Sequence, residues 1–228
     1  MSELESAAGL AAAPTRDRVA MGIKAAIADG TLVPGTRLSE REICTQYEVS
    51  RTVVRETLRQ LEAQGFVTVQ PNKGAVVAEI SYNDAEALFE VRGALESLAC
   101  SLFARRGSLP QKQQLIASIN ASEAAMNGGT IDEILTAKDS FYDALLDGAG
   151  NSELTTTLRV LHARIQLLRR YSLSAPGRHT ESLKELKEIS RAIIAGDIEG
   201  ARNAGLYHVE QAKFAALPRI FAEIAASE

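Results

Sequence analysis

The chain has 228 residues, 46% of them hydrophobic and 24% charged, with two cysteines and a net charge of −4. At about 100–200 residues per domain it holds one or two domains, and Cys44 and Cys100 offer neither a disulfide framework nor zinc spacing. A pI near 5.6, taken for the chain as a whole, speaks against a nucleic-acid binder, and no apolar run approaches the roughly 20 residues of a membrane span. Glu3 and Glu5 stand where an export signal would be basic, so a cytoplasmic protein with buried, reduced thiols is expected.

Residues 1–13 are Ala, Ser and Glu without a period and read as a disordered tail. From Arg16 to Asp29 the spacing of Val19, Ile23 and Ile27 predicts a helix closed by Gly30, and Leu32-Val33-Pro34-Gly35 predicts a turn. Ser39-Glu40-Arg41-Glu42 has the form of a capping box and opens a short helix to about Tyr47. A tight turn through Glu48 and Val49 leads to a second helix, capped by Ser50, that runs to Gln64 and stops at Gly65. The period then changes to two. Phe66–Val69 and Ala75–Ala78 flank the turn-rich Gln70-Pro71-Asn72-Lys73-Gly74 and predict a β-hairpin. Two helices joined by a tight turn and followed by a hairpin make a winged helix-turn-helix over residues 14–80.

Beyond residue 81 strand signals vanish. Helix starts fall at Ser81–Asp84, with an end near Arg106, at Ser108-Leu109-Pro110-Gln111, and at the capping box Thr130-Ile131-Asp132-Glu133. Breaks at Gly148–Asn151, Ala175-Pro176-Gly177 and Gly196-Asp197 divide the remainder. The expected fold class is mainly α: a winged helix-turn-helix followed by an all-α bundle of about six helices over residues 81–228.

In the Ser50–Gln64 helix Arg51, Arg55 and Arg59 recur at i, i+4 and i+8 and share one side, while Val54, Leu58 and Leu61 face a core. Arginine presents a planar fork that reaches guanine N7 and O6 or clamps phosphate. Ser50 and Thr52 add hydroxyls at a helix N-terminus that favours anions, and Lys73 and Gly74 at the hairpin tip suit a wing along the DNA backbone. The alternative, a solvated arginine face balanced by Glu56 and Glu62, carries less weight on the second helix of such a motif.

The segments Pro34–Glu42 and Val49–Leu61 closely resemble the winged-helix domain of GntR-type bacterial transcription regulators. Glu90-Val91-Arg92-Gly93-Ala94-Leu95-Glu96 and Ile193-Ile194-Ala195-Gly196-Asp197 resemble the helical, FCD-type effector domain of the FadR subfamily. The resemblance spans about Thr15 to Leu217. It implies DNA contacts from Arg41, Ser50, Arg51, Thr52 and Arg55, with Lys73 and Gly74 in the wing. Val53 stands where the family usually has proline, a loss of little cost in a first helical turn.

In the helical region polar side chains fall on stripes that belong in a core. Arg92 lies among Leu88, Leu95, Ala99 and Leu102; Lys138 among Ile134, Leu135, Phe141, Tyr142 and Leu145; Arg164 borders Leu158, Leu161, Ile165 and Leu168; His208 shares a stripe with Ala201, Ala204 and Ala212. A buried cation left unpaired costs several kcal/mol, on the order of 3–5. Arg92 can pair with Glu96 and Lys138 can snorkel outward, or the cations face a site for an anion.

The resemblance also implies a divalent metal held by an Asp, a His four residues later and two further histidines. Here Lys138 falls at the Asp, Tyr142 at the first His and Leu186 at the second; only His208 is kept, although Asp139 leaves a shifted geometry open. No metal and no other cofactor is expected. Arg92, Lys138, Tyr142, Arg164 and His208 are the candidate effector-binding residues, with a carboxylate metabolite as ligand. The competing reading fills the space with Tyr142 and Leu186 and senses something apolar or nothing.

A metabolite-binding enzyme with an appended winged helix is the rival class. No G-x-S-x-G, P-loop, H-E-x-x-H or G-x-G-x-x-G pattern supports it, and Glu181, Glu185 and Glu188 beside Lys184 and Lys187 read as a solvated helix face. The partners expected are a pseudo-palindromic double-stranded operator, a second copy of the chain, and a small acidic effector that relieves repression. The charge divides to match. Residues 14–80 hold nine Lys/Arg against eight Asp/Glu, and residues 81–228 hold 16 against 19.

Overall fold

The structure is a computed structural model that describes residues 15–28, 31–63, 65–71 and 73–227. The expectations for residues 1–13, for the Asp29-Gly30 stop, for Gln64 and for Asn72 lie outside the described residues. The chain divides into two compact units between Glu79 and Ile80.

The first unit holds α1 (Thr15–Ala28), α2 (Glu40–Tyr47), α3 (Arg51–Ala63), β1 (Val67–Gln70) and β2 (Gly74–Val77). One apolar stripe from each helix meets the hairpin. Val19 and Ile23 of α1, Ile43 of α2, and Val54, Leu58 and Leu61 of α3 pack with Leu38, Val67 and Val77. Ser39 caps α2 by accepting from the Glu42 N–H at 3.4 Å, without a return bond from the Glu42 side chain, so half of the capping box forms. The turn between α2 and α3 places Glu48 in the left-handed region at φ 54°, a conformation glycine adopts at less cost.

The strands pair antiparallel in the register Val67↔Val77 to Gln70↔Gly74, one residue later than expected at β1 and one earlier at β2. Phe66 is shared between the two elements: its N–H bonds Leu61 O at 2.9 Å, which finishes the end of α3, while its carbonyl accepts from the Ala78 N–H at 2.9 Å. Gly74 turns the tip at φ 78°. An isolated bridge that the sequence does not predict joins Arg37 to Val76 beside the hairpin, with Leu38 N–H to Ala75 O at 2.8 Å and Val77 N–H to Thr36 O at 2.9 Å. Three residues carry no readable period.

The second unit is a bundle of α4 (Tyr82–Arg106), α5 (Leu109–Met126), α6 (Ile131–Ala149), α7 (Ser152–Leu173), α8 (Arg178–Ala195) and α9 (Ile198–Ser227). The first four starts have side-chain caps. Ser81 caps α4, complete capping boxes open α5 and α6, and Asn151 caps α7. Left-handed Gly150 and Gly196 end α6 and α8. Phe89, Phe103, Phe141, Leu115, Leu168, Leu186 and Ile189 fill the core. Helices α4 and α9 run close together because Gly205 has no side chain. A Cβ there would lie 2.7 Å from Cys100 Sγ and 3.3 Å from Ser97 Cα.

Candidate functional site

The first unit offers an exposed cationic face. On α3, Ser50, Arg51, Thr52, Arg55 and Arg59 are exposed, as are Arg41 on α2 and Lys73 and Gly74 at the hairpin tip. They stay outside because the buried side of α3 is already filled by Val54, Thr57, Leu58 and Leu61. Ser50 Oγ accepts from the Val53 N–H at 3.4 Å. All eight sequence-predicted DNA contacts therefore stand on the surface of a winged helix-turn-helix, with free guanidinium groups on Arg41, Arg51 and Arg59 among the described residues. Arg55 alone of the four arginines is engaged, through Glu40.

The second unit does the reverse and buries its charges. Arg92 on α4 is fully buried and pairs with Glu96 at 2.8 Å, one turn along the same helix. It also donates to the Tyr142 hydroxyl on α6 at 3.1 Å. Arg169 on α7 stacks on the Tyr142 ring, 3.6 Å from its centroid. It reaches Glu96 at 3.5 Å and Asp139 at 3.2 Å. Burial would raise Glu96, but the two guanidinium groups outweigh it and hold its carboxyl below the ordinary range. Burial pushes Tyr142 up to about 12, so it remains a hydroxyl.

Beside this lies a second group. Lys138 is 2% exposed and does not snorkel; its ammonium donates to Ser182 Oγ on α8 at 2.7 Å and lies 3.5 Å from His208 Nε2 on α9. His208 Nδ1 meets Glu185, whose carboxylate also pairs with Arg178. Where Lys138 donates to Nε2, that nitrogen accepts, and the neutral imidazole carries its proton on Nδ1, facing Glu185. Burial, then Arg169, Arg92 and Arg178, lower Lys138 well below its ordinary value. Burial and then the Lys138 ammonium do the same to His208.

Four cations, Arg92, Lys138, Arg169 and Arg178, thus face three carboxylates, Glu96, Asp139 and Glu185. Lys138 makes no ion pair among the described residues. Arg92 Nη1, Arg169 Nε and Arg178 Nε are buried donors without a partner among them, each a desolvation cost. Such a set is short of one acceptor. A groove of about 440 Å³ between α5 and α8 has apolar walls, including Ile116, Ile119, Ile194 and Ala195, and shares none of its lining with these charges.

Arg92, Lys138, Tyr142 and His208 are brought together as the sequence suggests. Arg164 is not. It is half-exposed and makes no contact with the cluster among the described residues; Arg169, four residues beyond buried Ile165, takes that place. Glu185 corrects the reading of a solvated face, since its side chain is 8% exposed and doubly paired, while Glu181 and Glu188 are exposed and pair with Lys184 and Arg191. Arg178 and Ser182 were missed as well. They fall at i and i+4 of the stripe that continues through Leu186, Ile189 and Ile193, a signal visible once the short break at Pro176-Gly177 is read as the helix start.

The donor set fits a divalent metal poorly. An ammonium lies against His208 Nε2, the Tyr142 hydroxyl is used by Arg92, and Leu186 is fully buried and apolar. Among the described residues no group of three His, Cys, Asp or Glu converges.

Residues 15–77 match the model of the bacterial regulatory proteins of the gntR family, and residues 87–211 match that of the FCD domain. An uncharacterized HTH-type transcriptional regulator of Bacillus subtilis, YdhC, is 26% identical over 82% of this chain and 84% of its own. The HTH-type transcriptional repressor RspR of Escherichia coli is 25% identical over 79% of each chain. The structure of E. coli McbR/YncC superposes with a TM-score of 0.76 at 22% identity, covering 92% of this chain and 99% of that one. With the reading unit and the helical unit both accounted for, the chain belongs to the GntR family of bacterial transcription regulators, as a DNA-binding winged helix joined to an FCD domain.

Proposed function

We propose that the chain is a repressor whose operator binding is released by a small carboxylate held directly by the buried cations of the helical unit, without a metal or other cofactor and without catalysis. The observation that carries this reading is Lys138. Among the described residues its hydrogen-bond neighbours are a serine hydroxyl and an imidazole, and three guanidinium groups repel it while Glu185 alone attracts it, so the buried amino group has no carboxylate acceptor of its own. A ligand carboxylate supplies the missing acceptor to Lys138 and to the orphan donors of Arg92, Arg169 and Arg178. A cytoplasmic site of action follows from an operator target, and no described helix is long and apolar enough to cross a membrane. Repression is the sign supported by RspR, a repressor by name.

Two half-sites need two copies. Tyr207, Phe214 and Phe221 lie seven residues apart on α9 and are 55%, 71% and 62% exposed. A second chain laid along this stripe would cover it and make the homodimer that a pseudo-palindrome requires. The test is operator release by a panel of mono-, di- and tricarboxylates, with and without chelator. Release by at least one acid, unchanged by chelator and lost in Lys138→Ala with operator binding intact, is expected. Release that survives Lys138→Ala, or that needs added metal, overturns the proposal.

A further inference from the structure

Arg55 differs from the other arginines of the reading face in being held. Its Nε donates to both carboxylate oxygens of Glu40, at 3.0 Å to Oε1 and 3.1 Å to Oε2. Glu40 is the first residue of α2, where the helix macrodipole favours a carboxylate. Arg41, Arg51 and Arg59 make no ion pair among the described residues, so the bond is particular to this one position.

We infer that Glu40 is a specificity-determining residue that aims Arg55 at a guanine of the operator. Two consequences of the geometry carry the inference. With Nε engaged, the Nη1–Nη2 edge of the guanidinium remains free, and that edge matches the O6 and N7 acceptors of guanine in the major groove. The carboxylate also offsets the charge of Arg55 where phosphates would otherwise attract it. Arg55 then gives little to sequence-independent binding, which follows the number of phosphates neutralised, and gives most to base discrimination. An unheld arginine spends conformational entropy on each contact and reaches phosphate as readily as a base. Glu40 would set this division from outside the recognition helix, without touching DNA.

The inference rests on Arg55 reading a base, so the experiment separates the two. An operator is selected from a random duplex library with the full-length wild-type protein. Binding is then measured to that operator, to its single-base variants and to a scrambled duplex, for wild type, Glu40→Gln, Arg55→Ala and the double variant. At the guanine read by Arg55, wild type should discriminate by roughly five- to hundred-fold. Glu40→Gln should reduce that discrimination to about threefold or less, while binding to the scrambled duplex stays equal or tightens as a negative charge is lost. In the Arg55→Ala background Glu40→Gln should change discrimination no further. Melting curves that coincide with wild type exclude a folding defect. If Arg55→Ala removes the discrimination and Glu40→Gln leaves it intact, Glu40 is only a surface ion-pair partner and the inference fails. If Arg55→Ala leaves every base position unchanged, the base-reading role itself fails.

Discussion

The two units handle charge in opposite ways. On α3 the arginines stand in water and owe nothing to the core beneath them, to which α3 gives Val54, Leu58 and Leu61. In the bundle Arg92, Lys138, Arg169 and Arg178 are part of the core, each 7% exposed or less. The exposed set would suit a polyanion, where position on one face decides and stability does not. The buried set is a store of unfavourable desolvation, and a ligand that relieves it is bound by the same free energy. Substitutions should therefore separate cleanly: binding without stability in the first unit, stability tied to ligand response in the second.

The largest break should come at Glu96, the carboxylate shared by Arg92 and Arg169. Glu96→Ala leaves two buried guanidinium groups without it and should destabilise the bundle by about 3–5 kcal/mol. Calorimetry should show its transition falling by roughly 10 °C; a shift under a few degrees would mean that the cluster is far wetter than its burial states. Lys138→Met should act in the other direction. It removes a cation that has no carboxylate of its own and keeps the volume, so the effector-free protein should gain about 1–4 kcal/mol while losing its response to carboxylates. A variant both less stable and still responsive would contradict the contrast.

Arg55→Ala sharpens the other half. It should cost about 1–3 kcal/mol in operator binding if the side chain reads a base. The melting temperature should stay within error of wild type, because the side chain is 64% exposed. Loss spread evenly over all DNA sequences would place Arg55 on phosphate.

How far the sequence could be read follows the same division. The winged helix was legible because its signals are local: the Ser39 cap and the Gly65 stop act within one turn of helix, and the arginine period within about two. The bridge at Thr36–Leu38 was not, since its pairing with Ala75–Val77 is set by a chain segment almost 40 residues away. In the bundle the odd residues on apolar stripes pointed to Arg92, Lys138 and His208, but a helical period fixes a side chain's direction only to within a fraction of a turn. Arg164 and Arg169 both border the Ile165–Leu168 stripe, and which one enters the core depends on what α4 and α6 present opposite. Glu185 was hidden by its company. Its neighbours Glu181, Lys184 and Glu188 are solvated, and only Arg178 and His208 reveal its inward face.

The smallest expected effect is the pH dependence of the empty bundle, and His208 isolates it. Burial, the Lys138 ammonium and the surrounding guanidinium groups depress its folded-state value, so the imidazole stays neutral where an unfolded one, with a value of about 6.5, is protonated. The unfolded state then binds more protons, and stability falls as pH drops below about 6.5, by about 1.4 kcal/mol per unit while the folded imidazole remains neutral. Glu185 and Asp139 are raised by burial and oppose this above the ordinary carboxylate range, which makes the net slope of the wild type uninformative. The difference between wild type and His208→Gln is the useful quantity, because glutamine can keep a donor toward Glu185 and titrates nowhere. Between pH 7.5 and 5.5 the wild type should lose about 1 kcal/mol more than the variant. A saturating carboxylate should shrink that gap, since an anion beside Lys138 and His208 favours their protonated forms. Equal slopes in the empty proteins would mean that His208 is already charged in the fold, and the neutral tautomer facing Lys138 would have to be abandoned.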